Sequence, residues 1–272
     1  MRTFSRFNLF SLILGFLFLY VPIVLLIIFS FNESKLVTVW GGFSTKWYAE
    51  LLQNQGIIDA TWVTLKVAFV SATIAAVLGT VAGLTLSRFG RFRGRTLFSG
   101  MIYAPMVMPE VIIGLSLLLM FVALSVSRGI MTITIAHITF SMCYVAVVVQ
   151  SRLSSFDDSI EEAALDLGCT PAKTFLYITL PVIFPAVLSG WLLAFTMSLD
   201  DLVIASFTSG PGSTTLPMKI YSQVRLGVTP EINAVSTLLV GVVAAGVLAA
   251  AWLGKRQAQQ RVRDEQLAAQ GD

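Results

Sequence analysis

The chain has 272 residues, of which 56% are hydrophobic and only 12% are charged. A soluble domain usually carries about 25% charged residues, so the composition excludes an ordinary soluble protein and is typical of the membrane class. The single histidine excludes a histidine-rich metal site, and we expect no metal, no cofactor and no nucleic-acid partner.

Six long apolar runs predict the membrane-spanning segments. A helix that crosses a bilayer needs about 20 mostly apolar residues. Lipid offers no hydrogen-bond partners, so the backbone of such a run must be helical. We therefore predict an all-α, polytopic membrane protein with six transmembrane helices. The predicted spans are residues 9–31, 67–86, 97–124, 130–149, 182–207 and 232–253.

The positions of lysine and arginine predict the orientation, because cytoplasmic loops carry an excess of these residues. With the N-terminus in the cytoplasm, the inner segments hold 12 of them and the outer segments hold 5. Both termini are therefore expected on the cytoplasmic side.

Three carboxylates fall inside the predicted spans, namely Glu110, Asp200 and Asp201. Charged groups at such positions usually mark a transport pathway or a buried pair. Glu110 follows Pro105 and Pro109, which must disturb the third helix and free backbone carbonyls. Broken helices of this kind are tolerated where they line a cavity. We favour a cation pathway over the alternatives, which are pairing with a partner subunit's basic residues and capping of a helix end.

The fifth predicted span carries a stripe of mixed chemistry. Trp191, Ala194, Ser198 and Asp201 recur at helical spacing, whereas Asp200 points about 100° away. An aromatic face, a hydroxyl and a carboxylate together suit an ammonium group, through cation–π contact and charge-assisted hydrogen bonds.

Two other features of the spans favour packing roles. Gly79 and Gly83 form a GxxxG pattern, which indicates close approach of a neighbouring helix. His137 has no acid one turn away on its own helix, so we favour a hydrogen-bonded core histidine over a proton relay.

The polar segment at residues 150–181 predicts two short helices. Asp158 and Glu161 have the spacing of a capping box. Gly168 is placed to end this first helix, and Thr170-Pro171 is placed to begin the next. One face of the first helix is apolar, and the rest is acidic. Because helices that lie on lipid are usually basic, this pattern favours a protein partner over the membrane surface. The apolar positions are Ile160, Ala163, Ala164 and Leu167.

The same segment contains the pattern EAA-x3-G-x9-I-x-L-P. Its positions are Glu162, Ala163, Ala164, Gly168, Ile178, Leu180 and Pro181. The pattern resembles the signature loop of binding-protein-dependent ABC importer permeases. The resemblance implies a type-I ABC importer permease fold, in which residues 162–168 form a cytoplasmic coupling helix that docks in a cleft of an ATPase subunit.

The chain has no G-x-x-x-x-G-K-[ST] run for binding a nucleotide. Energy is therefore expected from a separate ATPase, and the chain itself is predicted to be a transporter subunit rather than an enzyme.

Further motifs narrow the resemblance. Ser198-Leu199-Asp200-Asp201, the run from Ser206 to Pro211 and the run from Gly227 to Ala234 are similar to those of polyamine permeases, and the similarity extends over nearly the whole chain. The putrescine type is the most similar, with the spermidine type close behind. In that family the positions that match Glu110, Ser198, Asp200, Asp201 and Trp47 are implicated in transport, although relatives often carry Asp where this chain has Glu110.

The resemblance also implies the partners and the location. They are a second, homologous permease subunit in a heterodimer, two cytoplasmic ATPase subunits, a periplasmic polyamine-binding protein and the lipid of the bacterial inner membrane. Three regions are expected: a first span with a periplasmic loop at residues 1–60, an ABC transmembrane core of five helices at 61–254 and a cytoplasmic tail at 255–272.

Three alternatives stay open at this point. A secondary transporter or channel would explain the spans and the acids but would leave the EAA segment without a role. An ABC permease for another cationic or small solute fits the same motifs. An intramembrane aspartyl protease is disfavoured, because Asp200 and Asp201 are adjacent and diverge, and its two acids must converge.

Overall fold

The computed structural model describes residues 6–36, 39–227, 230–246, 248 and 252. Within these residues the chain is helical, and β structure is limited to the isolated bridge between Asn32 and Phe43. The all-α prediction is therefore confirmed. The helices are α1 (Arg6–Ser30), α2 (Lys46–Leu51), α3 (Gln55–Arg88), α4 (Arg95–Val107), α5 (Glu110–Ala123), α6 (Ile130–Ser154), α7 (Ser159–Asp166), α8 (Pro171–Thr174), α9 (Leu180–Asp200), α10 (Val203–Thr208), α11 (Leu216–Leu226) and α12 (Pro230–Gly246).

The chain forms two compact units, one of residues 1–55 with 222–272 and one of residues 56–221. In the described part of the chain, four helical segments are long and apolar enough to cross a membrane, and the bent pair α4–α5 makes a fifth. The sixth predicted span overlaps α12, but several of its residues lie outside the described part, as do residues 255–272. The six-span count and the division at residues 60 and 254 stay predictions.

The third span is broken at Pro109, as predicted, whereas α4 continues through Pro105. Proline has no N–H group, and it forces the residue before it out of the helical conformation. Met108, directly before Pro109, is extended at φ −81° and ψ 140°. The axes of α4 and α5 consequently differ by 117°.

The two halves of this broken span pack against successive parts of α6. In α4, Ile102 packs with Leu86 and Ala146. In α5, Ile113 and Leu117 pack with Phe140 of α6, among others. The two half-helices therefore contact α6 at two different positions along its length.

Close contacts between α3, α6 and α9 form the centre of the larger unit. A Cβ atom added at Gly79 would lie 2.6 Å from the Cβ of Val145, and one at Gly83 would lie 2.7 Å from the carbonyl oxygen of Ala146. The packing interpretation of the GxxxG pattern is confirmed. Small residues let these helices approach until their backbones touch.

The predicted fifth span has different ends from those expected at residues 182–207. Helix begins at Pro171 and runs to Asp200, with a π-helical turn at Phe175–Thr179 just before Pro181. A wider turn accommodates a residue that cannot donate a backbone hydrogen bond. Asp201 is extended, and α10 follows as a separate helix. The break lies at the two adjacent acids.

In the smaller unit, the 24-residue apolar segment Phe7–Ser30 of α1 is almost entirely exposed, as expected of a helix surrounded by lipid. The connection that follows is organised by Asn32, whose side chain is fully buried. Its amide donates to the carbonyl oxygen of Val39 at 2.8 Å and accepts from the N–H of Gly41 at 2.8 Å. These bonds fold the connection into a compact cap.

Candidate functional site

The break between α9 and α10 gives Asp200 and Asp201 opposite surroundings. Asp200 is the last residue of α9, and its side chain is exposed. The side chain of Asp201 is only 9% exposed. Two acids that are neighbours in the sequence therefore have different roles in the structure.

Asp201 is held by both backbone and side-chain donors. Its carboxylate accepts hydrogen bonds from the N–H groups of Ala205 at 2.7 Å and Ile204 at 3.3 Å, at the start of α10. Nε2 of His137 lies 3.1 Å from Asp201 Oδ2. The carboxylate thus caps α10, which stabilises the positive end of that helix.

His137 belongs to a buried polar chain that crosses three helices. Its Nδ1 lies 2.6 Å from Ser198 Oγ, and Ser71 Oγ on α3 donates to Ser198 Oγ at 3.3 Å. The prediction of a hydrogen-bonded core histidine is confirmed. Sequence reasoning missed the partners, because they lie 61 and 64 residues away and no local spacing signals them.

Glu110 and Asp200 are the acids left on the open surface, and we call them the open acid pair. Glu110 is the first residue of α5 and is exposed. α5 packs on α10, the helix that follows the two aspartates, so Glu110 lies in the same part of the bundle as Asp200 and Asp201. The N-terminus of α5 favours a negative charge such as that of Glu110.

An aromatic residue that was not predicted belongs to the same part of the bundle. Tyr144 of α6 is half-buried and packs against the cluster that contains Ile113 of α5. The Tyr144 ring packs edge-on against Phe140, with the centroids 5.1 Å apart. Carboxylates beside an aromatic ring suit an ammonium group.

The predicted stripe on α9 does not reach a common open face. Ala194 and Ser198 are buried in the larger unit, because this side of α9 packs on α6. The Nε1–H group of Trp191 donates to Thr73 Oγ1 of α3 at 3.1 Å. Instead Thr196, one turn before Asp200, is exposed with it. A part for Trp191 and Ser198 in substrate contact stays a prediction.

Trp47 lies in the smaller unit and is 5% exposed. Its Nε1–H group donates to the carbonyl oxygen of Asn32 at 2.6 Å, and the ammonium of Lys46 lies 4.7 Å from the centre of the ring. These contacts give the indole a packing role in the cap, and its predicted part in transport stays a prediction.

The EAA segment forms the predicted helix–turn–helix. α7 ends in a Schellman motif, in which Cys169 N–H donates to Ala164 O at 3.0 Å and Gly168 N–H donates to Leu165 O at 2.9 Å. Gly168 has φ +88°, a left-handed conformation that glycine adopts without strain. Pro171 then opens α8 at its first position, as predicted.

The predicted capping box of α7 is wrong. Asp158 makes no side-chain cap, and Asp157 instead accepts a hydrogen bond from Ser159 N–H at 3.0 Å. This hydrogen bond holds the pKa of the Asp157 carboxyl below its usual range. Asp158 and Glu161 form ion pairs with Arg88 instead. Asp158 Oδ1 lies 2.5 Å from Arg88 Nη1, and Glu161 Oε2 lies 2.9 Å from Arg88 Nε.

Glu161 anchors α7 to the bundle. Besides Arg88 at the end of α3, its carboxylate accepts a hydrogen bond from the Thr179 hydroxyl at 2.6 Å. These residues line a cavity of about 310 Å³ together with Phe89, Leu165 and Phe175. The contacts of Glu161 hold α7 against the end of α3, and the exposed face of α7 takes no part in them.

The outward face of α7 carries most of the EAA residues. Of the described residues 159–167, Ala164 is the one that is buried. Glu162 and Ala163 are exposed, and so are Ile160 at 47% and Leu167 at 87%. An apolar strip with an acid beside it is thus left open at a polar end of the bundle.

The family profile described as "Binding-protein-dependent transport system inner membrane component" matches residues 75–263. The putrescine transport system permease protein PotI of Escherichia coli (strain K12) is 58% identical over 266 residues, which cover 96% of this chain and 95% of that protein. The spermidine/putrescine transport system permease protein PotC of the same strain is 43% identical over 222 residues, which cover 82% and 84%.

A solved structure is similar in fold. It is a bacterial ABC transporter involved in the import of the acidic polysaccharide alginate, with a TM-score of 0.69 at 16% identity, covering 94% of this chain and 99% of that chain. At this identity the likeness concerns the fold alone, which is that of an ABC importer permease.

Proposed function

We propose that this chain, which belongs to the family of binding-protein-dependent inner membrane transport components, is a permease subunit of an ATP-driven polyamine importer with putrescine as its substrate. The substrate is inferred from the identity with a putrescine permease over almost the full length. In the structure, the exposure of Glu110 and Asp200 in the part of the bundle where α5 packs on α10 is the observation that carries the proposal.

The open acid pair fits a diamine. Putrescine carries two ammonium groups joined by an apolar chain, and each ammonium can donate charge-assisted hydrogen bonds to a carboxylate. Glu110 and Asp200 supply the carboxylates, and Tyr144 supplies an aromatic ring. Acids in a membrane span normally face a bundle interior or a water-filled cavity, so we place this face in the pathway.

One subunit then forms half of the pathway. The other half comes from a second, homologous permease, which faces the open acid pair. A periplasmic binding protein delivers the polyamine, and two ATPases bind at the cytoplasmic side. The N- and C-termini are also cytoplasmic, in agreement with the distribution of basic residues.

The outward strip of α7 supplies the coupling contact. An amphipathic helix that lays its apolar side in a groove is a common mode of recognition. Closure of the two ATPases on ATP moves the paired α7 helices, and the rigid attachment of α7 through Glu161 and Arg88 passes this motion to α3 and α9. The pathway opens outward, and hydrolysis resets it inward.

Uptake of labelled putrescine into cells tests this proposal. Cells that express the whole transporter are compared with cells that lack only this chain, with unlabelled spermidine as competitor. We expect uptake to require the chain, with spermidine competing more weakly than unlabelled putrescine. Equal uptake with and without the chain would contradict the assignment of putrescine as the substrate. Stronger competition by spermidine than by putrescine would indicate spermidine as the preferred substrate.

A further inference from the structure

We infer that His137 is a positioning residue for the transport pathway, which acts through Asp201 to set the direction of Asp200. The inference rests on the proposed function, because it gives His137 a part in placing the open acid pair. It goes further in assigning a transport role to a residue on another helix that has no exposed surface of its own to offer a substrate.

The first step is the fixed position of Asp201. Two backbone N–H groups of α10 and Nε2 of His137 surround its carboxylate, at distances from 2.7 to 3.3 Å. The backbone donors belong to the segment that moves with Asp201, whereas His137 belongs to α6. His137 is therefore the side chain of another helix that contacts the Asp201 carboxylate directly, beside the packing of α10 on α5 and α6.

The second step is the geometry of the break. Asp201 is extended, at φ −64° and ψ 122°, directly after the last helical residue Asp200. Where a chain leaves a helix in this way, adjacent side chains point in different directions. Holding Asp201 inward against α6 leaves Asp200 on the open side. A displaced Asp201 would change the direction of Asp200 through the single peptide bond between them.

The third step is the consistency of the hydrogen-bond chain. Ser71 donates to Ser198, Ser198 donates to Nδ1 of His137, and Nε2–H donates to Asp201. With the imidazole proton on Nε2, Ser198 can donate to Nδ1 and Nε2–H can donate to Asp201, while the Ser71 hydroxyl lies 3.3 Å from both Ser198 Oγ and Ala68 O. The chain links α3, α6 and α9 to the start of α10, so the position of Asp201 is set by three helices.

The test separates the two ring nitrogens. In His137→Gln the side-chain amide can reach the place of Nε2 and keep the contact with Asp201. In His137→Asn the shorter amide lies at the place of Nδ1, keeps the contact with Ser198 and falls short of Asp201. The two variants are similar in polarity and are both smaller than histidine, so each serves as the control for the other.

Initial rates of labelled putrescine uptake are measured in the complete transporter and normalised to the amount of this chain in the membrane. We expect His137→Gln to stay within about threefold of the wild type in apparent KM. We expect His137→Asn to raise apparent KM about tenfold, which corresponds to the loss of one hydrogen bond to a charged group. In an Asp200→Asn background, His137→Asn should add less than about twofold, because residues that act as one unit are not additive.

Equal behaviour of the two variants, including equal loss from the membrane, would overturn the inference and leave His137 with a packing role. So would a fall in abundance without a change in apparent KM, or a full additional loss in the Asp200→Asn background. If the wild-type transporter takes up no putrescine, or if Asp200→Asn alone has no effect, the proposed pathway fails instead, and the two failures are distinguishable.

Discussion

Replacing Glu110 by glutamine and Asp200 by asparagine together is expected to lower putrescine uptake about a hundredfold at subsaturating substrate. Each change removes a negative charge from the open acid pair and keeps the size of the side chain. A hydrogen bond to a charged group is worth about 1.5–3 kcal/mol, and 1.4 kcal/mol corresponds to a tenfold change. Each single variant should therefore lose about tenfold. The measurement is the initial rate of uptake, normalised to the chain present in the membrane.

One matched substitution serves as the control for this experiment. Glu50→Gln changes an exposed acid in α2, outside the proposed pathway, and should leave uptake within about twofold of the wild type. Uptake within about twofold of the wild type in the Glu110 and Asp200 double variant would remove the open acid pair from the pathway.

Replacing Gly168 by proline is expected to abolish uptake while the chain stays in the membrane. The proline ring fixes φ near −65°, whereas Gly168 has φ +88°, and proline also lacks the N–H that binds Leu165 O. A cost of about 3 kcal/mol corresponds to more than a hundredfold shift away from the docked geometry of α7. Gly168→Asn is the matched control, because asparagine tolerates the left-handed conformation and keeps the N–H.

The native cysteines provide the readout for this second prediction. Cys169 is exposed directly after the glycine, and Cys143 is buried. A maleimide should therefore label Cys169 in the isolated subunit, and bound ATPase should protect it in the wild type and in Gly168→Asn. Gly168→Pro should lose this protection together with uptake. Equal protection of Cys169 in all three proteins would contradict the dependence of ATPase docking on the geometry of the EAA segment.

Proline and glycine positions in the sequence predicted the features that depend on the backbone of a single residue. Pro109 breaks the third span because it forces Met108 out of the helical conformation, whereas α4 continues through Pro105. Gly168 ends α7 because a left-handed residue is needed there. The close approach at Gly79 also follows from its missing side chain.

Contacts between residues that are distant in the sequence could not be predicted from local patterns. The partners of His137 lie on α9 and beyond its end, and only the packing of α6 against α9 brings them together. Glu161 has the spacing of a capping residue, but Arg88, 73 positions earlier in the sequence, competes for it through charge. In both cases the partner is brought into reach by the packing of helices that are distant in the sequence.

The packing of α9 on α6 accounts for the difference in the candidate site. Ala194 and Ser198 face the interior of the larger unit, and Asp201 faces the same way, because Ser198 and Asp201 both contact His137. Asp200 is left on the open side. The acids themselves were found from the rarity of charge in membrane spans, and their division of roles required the structure.

ATP-driven accumulation of putrescine in proteoliposomes tests the central claim most directly. The vesicles hold this chain, the second permease and the ATPase, with the polyamine-binding protein on the opposite side from ATP. The account predicts accumulation above equilibrium that requires ATP, the binding protein and this chain. Accumulation that proceeds without ATP and follows an imposed ion gradient would contradict it, and would identify a secondary transporter.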